Sequence, residues 1–388
     1  MRLLFVKHSL VWPRSSGHDV HTFHMMKACA ELGHEVSLAT VVPPEPPAIE
    51  GARLHEKIRL SAPLTDDDLT LPGTRLQKKF RSFWGVEDHW VLSLRQAARR
   101  LKPHAVIIGG LDALPYMPAL ENTVRVWYAA DEWVLHHLSQ LQFSFASWRE
   151  HVTGAVIKGL YERAHCRVVD RAWVVSDADQ RAMQRIGIRN ADLLPNGVDS
   201  TYFAPGLEPQ EPNTAVFWGR LDFGPNIQAL EWFCRRVWPI VRHKVPDARF
   251  TIIGFQPGEA VRALAAQPGI KLEANVRDLR GTARKHALAV MPFVSGAGIK
   301  NKLLEAAAMG MAIVGTPTAA RGLRGTSPIA VGSTPAEFAD TMVDIWTNAE
   351  RRARLGADAR NWVLKHHTWL ETAREAMAAL EAHTNSAK

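Results

Sequence analysis

Apolar residues along this chain fall into short continuous runs that alternate with longer segments of helical spacing. The first run covers residues 3–6, a segment with helical spacing follows at residues 20–32, and a second run covers residues 35–41. Gly17 lies in the turn between the first run and the helical segment. A buried strand, a turn, a helix and another buried strand predict the start of a doubly wound α/β domain with a parallel sheet.

The same alternation continues along the chain. Further buried strands are predicted at residues 105–108, 123–128, 172–175, 215–218, 249–253 and 270–272. Helices are predicted at residues 133–167, 226–243, 259–266, 279–285, 335–346, 350–366 and 369–382, and a proline-rich loop at residues 43–51. Because 388 residues exceed what one hydrophobic core usually supports, the pattern predicts two α/β domains.

Residues 287–316 combine an apolar run, a glycine turn and a helical segment. Lys300 and Lys302 stand at the predicted helix N-terminus, where unpaired N–H groups and partial positive charge favour acidic residues instead. A bound anion explains two lysines there, because a glycine turn that leads from a strand into a helix is a ready phosphate site. Glu305, one turn further on, is placed to accept hydrogen bonds from hydroxyls of the same ligand. Two solvated lysines and a surface glutamate are the alternative that this stretch leaves open.

The stretch from Arg75 to Arg100 mixes basic and apolar residues. Its basic members are Arg75, Lys78, Lys79, Arg81, Arg95, Arg99 and Arg100, and its aromatic members are Phe80, Phe83, Trp84 and Trp90. Such a mixture is typical of a basic amphipathic helix that lies on an anionic membrane surface. The alternative, which the pattern favours, is an ordinary solvated helix pair packed on the first domain.

Composition and charge narrow the class of protein. With 46% hydrophobic and 22% charged residues the chain has an ordinary globular composition. A net charge of +8 favours anionic partners such as nucleotides or acidic lipid headgroups, although the basic residues are dispersed. The three cysteines stand far apart and form no CxxC pair, so neither a disulfide framework nor a zinc site is predicted, and a reducing cytoplasm fits. No window reaches the roughly 18 apolar residues of a membrane span.

Acidic residues that follow predicted strands are candidates for chemistry. Asp131 follows the strand predicted at residues 123–128, at the carboxyl end where α/β active sites form. The alternative is that Asp131 caps the helix that follows. The run Asp66, Asp67 and Asp68 lies in a polar loop and is interpreted as solvated, so no metal site is predicted.

Motifs of the second half, in their order and spacing, resemble one enzyme family. They are VVSDAD at residues 174–179, LPNGVDSTYF at 194–203, FWGRLDFGPN at 217–226, FTIIG at 250–254, the block at 292–310, IVGTPTAARGL at 313–323 and ADARNWVLKHHTWLE at 357–371. The chain resembles a GT-B glycosyltransferase and, within that group, the retaining glycosyltransferase family 4 (group 1). The resemblance implies an α/β fold of two Rossmann-like doubly wound domains that face each other across a cleft. Residues 1–195 would bind the acceptor, residues 196–365 would bind the nucleotide sugar, and a C-terminal helix at residues 366–388 would pack back on the first domain.

The resemblance also assigns site residues. The donor and nucleotide site would comprise Gly219, Arg220, Val276, Gly296, Ala297, Gly298, Ile299, Lys300, Asn301, Lys302 and Glu305. Catalytic roles would fall to Asp131, Arg220 and Lys302, and the acceptor side would include Gly17, His18, His21 and Asp131. In the family's Glu-x7-Glu pair the second glutamate, on the ribose hydroxyls, matches Glu305. The first glutamate of the pair, which contacts the donor sugar in the family, would fall at Ala297 and is missing. The family also has a lysine after the first strand of the second domain, and its place would fall within residues 223–226, which contain no lysine.

The activity that the resemblance implies is transfer of a sugar, with retention, from a nucleotide-diphosphate sugar to an acceptor hydroxyl. The enzyme would be hexosyltransferase-type, metal-independent and without a cofactor, and would serve cell-surface polysaccharide or glycolipid biosynthesis. Its partners would be a nucleotide sugar, a lipid-linked or polysaccharide acceptor and an anionic membrane surface, but no nucleic acid. The location would be cytoplasmic, peripheral at the inner face of the membrane. A GT-B nucleotide-sugar epimerase and a catalytically silent nucleotide-sugar-binding subunit are the alternatives, and the missing glutamate suits the second.

Overall fold

The computed structural model describes residues 1–12, 17–61, 70–110, 112, 114–130, 148–276, 278–296 and 298–386. The chain divides into two compact units. Unit 1 comprises Met1–Leu194 and Trp369–Lys388, and unit 2 comprises Pro195–Thr368. The predictions made for residues 66–68, for Asp131 and for Ala297 lie outside the described residues.

Unit 1 is built on a parallel sheet. Its strands are β1 (Arg2–Lys7), β2 (Glu35–Thr40), β3 (Glu56–Arg59), β4 (Ala105–Gly109), β5 (Val124–Ala130), β6 (Arg171–Val174) and β7 (Ala191–Leu193). They lie in the order β3-β2-β1-β4-β5-β6-β7 with every neighbouring pair parallel. The chain therefore reverses its direction of winding between β1 and β4, which is the topological switch point of this sheet.

Unit 2 repeats the same architecture. Its strands are β8 (Glu211–Arg220), β9 (Arg249–Phe255), β10 (Ile270–Ala274), β11 (His286–Met291), β12 (Ala312–Gly315) and β13 (Ala330–Val331). Their order is β10-β9-β8-β11-β12-β13, again parallel throughout. The switch point lies between β8 and β11. The prediction of two doubly wound α/β sheets is confirmed.

Helices connect the strands, as parallel neighbours require. In unit 1 they are α1 (Gly17–Glu31), α2 (Pro46–Ile49), α3 (Arg75–Phe83), α4 (Asp88–Leu101), α5 (Trp148–His165) and α6 (Asp177–Ile186), with 3-10 turns at Leu114–Ala119 and Cys166–Val168. In unit 2 they are α7 (Gly224–Trp232), α8 (Trp238–Lys244), α9 (Glu259–Ala265), α10 (Leu279–Arg284), α11 (Asn301–Ala308), α12 (Pro335–Thr347) and α13 (Ala349–His366), with a π turn at Phe233–Val237. The C-terminal helix of unit 1 is α14 (Trp369–Ser386).

One local prediction was wrong, and three short strands were not predicted. Residues 43–51 were predicted as a loop, but α2 forms within them. Pro46 and Pro47 stand at the first helical positions, where a missing N–H removes no hydrogen bond, so these prolines permit the helix. The strands β3, β7 and β13 were not predicted, because four, three and two residues are too few to show a period.

The C-terminal helix joins the core of unit 1 through its first residue. Trp369 is buried, its ring stacks on His24 with centroids 5.3 Å apart, and it meets the edge of His21 at the same centroid distance. Ala373, Met377 and the rest of its buried face continue the core cluster that contains β1. Within the described residues, no helix combines the length and the apolar character that crossing a membrane demands.

Candidate active site

The switch point of unit 2 brings together the ends of β8 and β11. β8 ends at Arg220, and β11 ends at Met291 before the glycine turn that leads into α11. Residues 215–218 of β8 and 287–291 of β11 are continuous apolar runs buried on both faces, which fixes these strands in the middle of the sheet. In a doubly wound sheet the carboxyl ends of the two strands at the switch point form the ligand-binding crevice.

Lys302 extends from the first turn of α11 toward the end of β8. Its Nζ donates a hydrogen bond of 2.7 Å to Oδ1 of Asn226 and lies 5.0 Å from the ring centroids of both Phe217 and Phe293. Burial lowers the pKa of Lys302 to about 7, although the charge of Glu305 acts in the opposite direction. The site therefore holds an ammonium group at a cost that a bound anion would relieve.

Lys300 has a different role in the same turn. Its Nζ donates to the carbonyl oxygens of Gly296 at 2.9 Å and Gly298 at 3.0 Å. Both glycines have positive φ, 95° and 73°, a region that other residues rarely adopt. Lys300 thus stabilises the turn through hydrogen bonds to its own carbonyl groups, whereas Lys302 extends toward the end of β8.

Glu305 is oriented by an aromatic residue of β8. The indole N–H of Trp218 donates a hydrogen bond of 2.6 Å to Oε2 of Glu305. Burial raises the pKa of Glu305, while the Trp218 hydrogen bond and the charge of Lys302 lower it. The second carboxylate oxygen, Oε1, is left to accept hydrogen bonds from a ligand.

The end of β8 has no room for a side chain at Gly219. A Cβ there would lie 2.8 Å from Nζ of Lys302 and 3.1 Å from Nδ2 of Asn226, and the residue has a φ of 151°. The neighbouring Arg220 directs its guanidinium into a two-point ion pair with Asp222, at 3.1 Å and 2.6 Å, on the exposed side of the turn. Its carbonyl accepts a 2.7 Å hydrogen bond from Nδ2 of Asn226, which orients Oδ1 of that amide toward Lys302.

Asn196, which lies between Pro195 and Gly197, contacts Asn301 at the N-terminus of α11. Nδ2 of Asn196 donates to Oδ1 of Asn301 at 2.5 Å, and the buried Oδ1 of Asn196 has no hydrogen-bond partner among the described residues. His367 fixes the backbone behind it, with Nδ1 3.0 Å from the Asn196 carbonyl oxygen and Nε2 accepting from the Arg324 N–H at 3.1 Å. Burial lowers the pKa of His367 to about 4, so this ring is neutral and can serve as donor and acceptor at once.

The predicted site residues of unit 1 lie at the start of α1, which begins at Gly17. Burial lowers the pKa of His18 to about 4, and that of His21 to about 3. His21 is only 4% exposed and stacks on Tyr128 with centroids 5.8 Å apart. In this structure His21 is a neutral member of the core. The acidic partner expected nearby, Asp131, lies outside the described residues.

The structure thus brings Gly219, the turn glycines, Asn301, Lys302 and Glu305 to one end of the unit 2 sheet. Ile299 is buried beneath the turn, and Val276 follows β10, two strands away from β8. Sequence reasoning assigned no role to Trp218, Asn226 or Asn196. A signal existed for Asn226, since it falls in the segment where the resemblance expects a lysine, and its amide is now the partner of Lys302.

Within the described residues, no group of three or more histidine, cysteine, aspartate or glutamate side chains is arranged to hold a metal ion.

Comparison with known protein families finds a match in unit 2, which contains this site. Residues 212–348 match the family model described as glycosyl transferases group 1. The match begins in β8 and ends after α12, so it includes the whole of the switch point. No curated protein sequence matches the chain.

Solved structures resemble the chain over its full length. Sucrose-phosphate synthase from Thermosynechococcus elongatus is 15% identical with a TM-score of 0.70, and the similarity covers 100% of both chains. TarM of S. aureus is 10% identical with a TM-score of 0.71 over 98% of each chain. HepE of Anabaena, solved with UDP and glucose, is 13% identical with a TM-score of 0.67 over 98% of this chain and 99% of that one. The chain therefore has the GT-B fold of these structures, and its residues 212–348 match the glycosyl transferases group 1 model.

Proposed function

We propose that the chain is a retaining, metal-independent glycosyltransferase that takes its sugar from a nucleotide diphosphate. The observation that carries the proposal is the position of Lys302, whose buried ammonium group lies at the switch point beside a glycine turn and a helix N-terminus. That arrangement suits a diphosphate. The group 1 family match of residues 212–348 and the UDP and glucose bound by HepE agree with it.

The main chemical requirement of this reaction is stabilisation of the leaving group. When the bond between the anomeric carbon and the phosphate oxygen breaks, its electron pair and negative charge remain on the diphosphate. Lys302, the N–H groups of the turn around Gly298 and the N-terminus of α11 stabilise that charge without a metal ion. Arg220, held at the edge by Asp222, would add a further cation.

Retention needs no enzyme nucleophile in this proposal. The acceptor oxygen forms its bond to the anomeric carbon on the face that the diphosphate leaves, and its proton passes to a phosphate oxygen of the leaving group. Glu305, with Oε2 held by Trp218, would bind the ribose hydroxyls through Oε1. On the acceptor side, Asp131, His18 and His21 remain predictions, as do a lipid-linked or polysaccharide acceptor, a role in cell-surface polysaccharide or glycolipid biosynthesis and membership of family 4.

Calorimetry with UDP, GDP and ADP in the presence of EDTA tests the donor site. We expect one of the three to bind with a millimolar or lower Kd. Lys302→Ala and Glu305→Ala should each weaken that binding roughly tenfold or more, as the loss of a charged hydrogen-bonding partner implies. Lys285→Ala is the matched control, because Lys285 is exposed at the opposite end of β11. If none of the three nucleotides binds, the proposal is wrong.

A second candidate is a nucleotide-sugar epimerase. A structure of a UDP-N-acetylglucosamine 2-epimerase assigned in Listeria monocytogenes is 11% identical to the chain with a TM-score of 0.56, over 99% of this chain and 97% of that one. The products separate the two activities. A transferase releases a nucleoside diphosphate from its donor, whereas an epimerase keeps the nucleotide sugar intact and changes only its stereochemistry. A silent binding subunit, suggested by the alanine at position 297, would bind the donor and do neither.

A further inference from the structure

Helices α3 and α5 of unit 1 pack side by side. Their contact is formed by Phe80, whose ring meets Tyr161 edge-on with centroids 5.1 Å apart, and by Trp84, 5.4 Å from the same ring. The amide of Gln77 donates to the carbonyl oxygen of Ala164 at 2.9 Å. A capping box of Thr74 and Gln77 fixes the start of α3. The outer faces of the two helices therefore form one surface, which we call the α3–α5 surface.

The outer face of α5 is apolar. Trp148, Val152, Val156 and Leu160 recur every fourth residue and are all exposed. A spacing of four places them on one side of the helix, in a row about 18 Å long. A soluble helix normally turns such a row toward a core. Here the buried Tyr161 and His165 lie on the side of α5 away from this row.

α3 continues this apolar row and borders it with positive charge. Leu76 and Phe83 flank the residues that contact α5, and Phe83 is the most exposed of the apolar set at 62%. On the other side of α3, the side chains of Arg75, Lys78 and Lys79 line a cavity of about 540 Å³ together with Gly73 and Ser82. On α5, Arg149 lies 5.6 Å from the ring of Trp148.

These cations differ from the other basic residues of the same stretch. The remaining arginines are ion-paired: Arg81 with Asp88 at 2.9 Å, Arg95 and Arg99 with Glu121 at 3.1 Å and 3.4 Å, and Arg100 with Glu56 at 2.6 Å. Arg75, Lys78 and Lys79 form no ion pair with any residue of the described chain. Among the described residues, the cations of this stretch that form no ion pair are thus Arg75, Lys78 and Lys79 on α3, and Glu150 is an exposed acidic residue in the first turn of α5.

We propose that the α3–α5 surface docks the protein on an anionic lipid bilayer. The apolar row enters the boundary between headgroups and acyl chains, with Trp148 at the level that tryptophan prefers. The cations of α3 then face lipid phosphates, and the cavity between their side chains receives a headgroup. A bilayer fits better than a folded acidic partner, because exposed apolar residues along α5 and cations on the adjacent α3 combine in the way that an interfacial surface does.

Flotation with vesicles tests the proposal on the full chain. We expect the protein to float with vesicles of equal parts phosphatidylcholine and phosphatidylglycerol, and to remain at the bottom with phosphatidylcholine alone. Lys78→Gln combined with Lys79→Gln should weaken binding to the anionic vesicles roughly thirtyfold, since each lysine near such a surface contributes roughly fivefold. Val156→Asp should weaken it at least as much.

The control is Arg235→Gln combined with Arg236→Gln, which removes the same charge from an exposed pair in unit 2. This variant should bind the vesicles as the unaltered protein does. Thermal unfolding should be unchanged in all variants, because each altered side chain is exposed. Equal flotation with neutral vesicles, an unchanged affinity of the lysine variant or an equal loss in the control would overturn the proposal. So would a dimer in solution that Val156→Asp dissociates without any lipid binding, since a second copy would then be the occupant.

The proposal does not depend on the proposed function. Nucleotide binding is measured on the same preparations, and α3 and α5 belong to unit 1, whereas the nucleotide residues belong to unit 2. Vesicle binding without nucleotide binding would support the membrane surface and contradict only the transferase.

Discussion

The indole N–H of Trp218 donates a hydrogen bond of 2.6 Å to Oε2 of Glu305. Trp218 lies on β8 and Glu305 on α11, so the bond joins the two elements that form the switch point of unit 2. Burial raises the pKa of Glu305, and this hydrogen bond is the first influence that lowers it. Trp218 therefore controls both the direction and the charge of the carboxylate.

Replacing Trp218 by phenylalanine removes that donor while the ring is kept. We expect Trp218→Phe to weaken nucleotide binding roughly tenfold at pH 7, the size of one hydrogen bond to a charged group. The loss should be greater at pH 6 than at pH 8, because without the bond the pKa of Glu305 rises further and a lower pH favours the neutral carboxyl group. Calorimetric titrations at pH 6, 7 and 8 measure both effects.

Trp346→Phe is the matched control for this prediction. The Trp346 indole N–H also donates within unit 2, to the carbonyl oxygen of Thr214 at 3.1 Å, but at the opposite end of β8. This variant should lose stability and keep its nucleotide affinity. An equal loss of affinity in both variants would show that general loosening of the sheet, and not the orientation of Glu305, is responsible.

The charge of Lys302 makes nucleotide binding depend on pH. With a pKa lowered to about 7, a fraction of the lysine is neutral at pH 8 in the free protein. A diphosphate favours the charged form, so binding should take up protons and weaken as the pH rises from 6 to 9. Calorimetry in two buffers with different ionisation enthalpies measures this proton uptake, which Lys302→Met should abolish.

Lys302 should also lower the stability of the free protein. Its pKa in the folded state lies below the value of 10.5 expected when unfolded, so between these values the unfolded chain binds more protons and stability rises with pH. Below pH 7 the cost of burying the charge is fully present. We therefore expect Lys302→Met to raise the free energy of unfolding at pH 6 by about 1 kcal/mol while nucleotide binding is lost. A destabilised variant at that pH would contradict the assignment.

The sequence predicts the elements of this site far better than their pairing. The alternation of apolar runs and helical segments correctly placed the strand before Pro292, the helix that contains Glu305 and the strand that follows. Trp218 and Glu305 are 87 residues apart, and Asn226 and Lys302 are 76 apart. Their contacts depend on β8 lying beside β11, and local periodicity carries no information on strand order.

The basic stretch near Arg75 shows a related limit. Its composition indicated a membrane surface, but four of its seven cations form ion pairs, three of them with Glu56 and Glu121 elsewhere in the chain. The apolar row of α5 was not recognised, because a row spaced by four residues looks in sequence like the buried face of an ordinary helix. An exposed apolar row and a buried helix face can be distinguished only when the structure shows which side of the helix is buried.

Gly219 should tolerate no side chain. A Cβ would lie 2.8 Å from Nζ of Lys302, and its φ of 151° is strained for other residues. We expect Gly219→Ala to cost about 2 kcal/mol of stability and to displace Lys302, so that nucleotide affinity falls as well. Gly224→Ala is the control, since nothing lies within 4 Å of a Cβ at the start of α7. Chemical denaturation and nucleotide titration of both variants test the prediction. Equal stability and equal nucleotide affinity of the two variants would contradict it.

His367 should make unit 2 sensitive to acid. Its folded pKa of about 4 lies below the ordinary value of 6.5, so between these values the unfolded chain binds more protons. Stability is then lost as the pH falls from 6.5 toward 4, by about 1.4 kcal/mol per unit for this single group. The physical reason is burial, which disfavours the charged ring, and protonation would also cost Nε2 the hydrogen bond from the Arg324 N–H.

Replacing His367 by glutamine tests that source of acid sensitivity. Glutamine offers one donor and one acceptor without titrating in this range, so His367→Gln should be less stable than the unaltered protein at pH 7 but lose less stability between pH 7 and pH 5. The neighbouring His366→Gln is the control and should leave the acid-induced loss unchanged. Calorimetric unfolding at the two pH values measures the difference. Because the His367 ring also holds the Asn196 carbonyl behind the N-terminus of α11, protonation of the ring in the folded protein, half complete near pH 4, should weaken nucleotide binding there, and the glutamine variant should resist that loss.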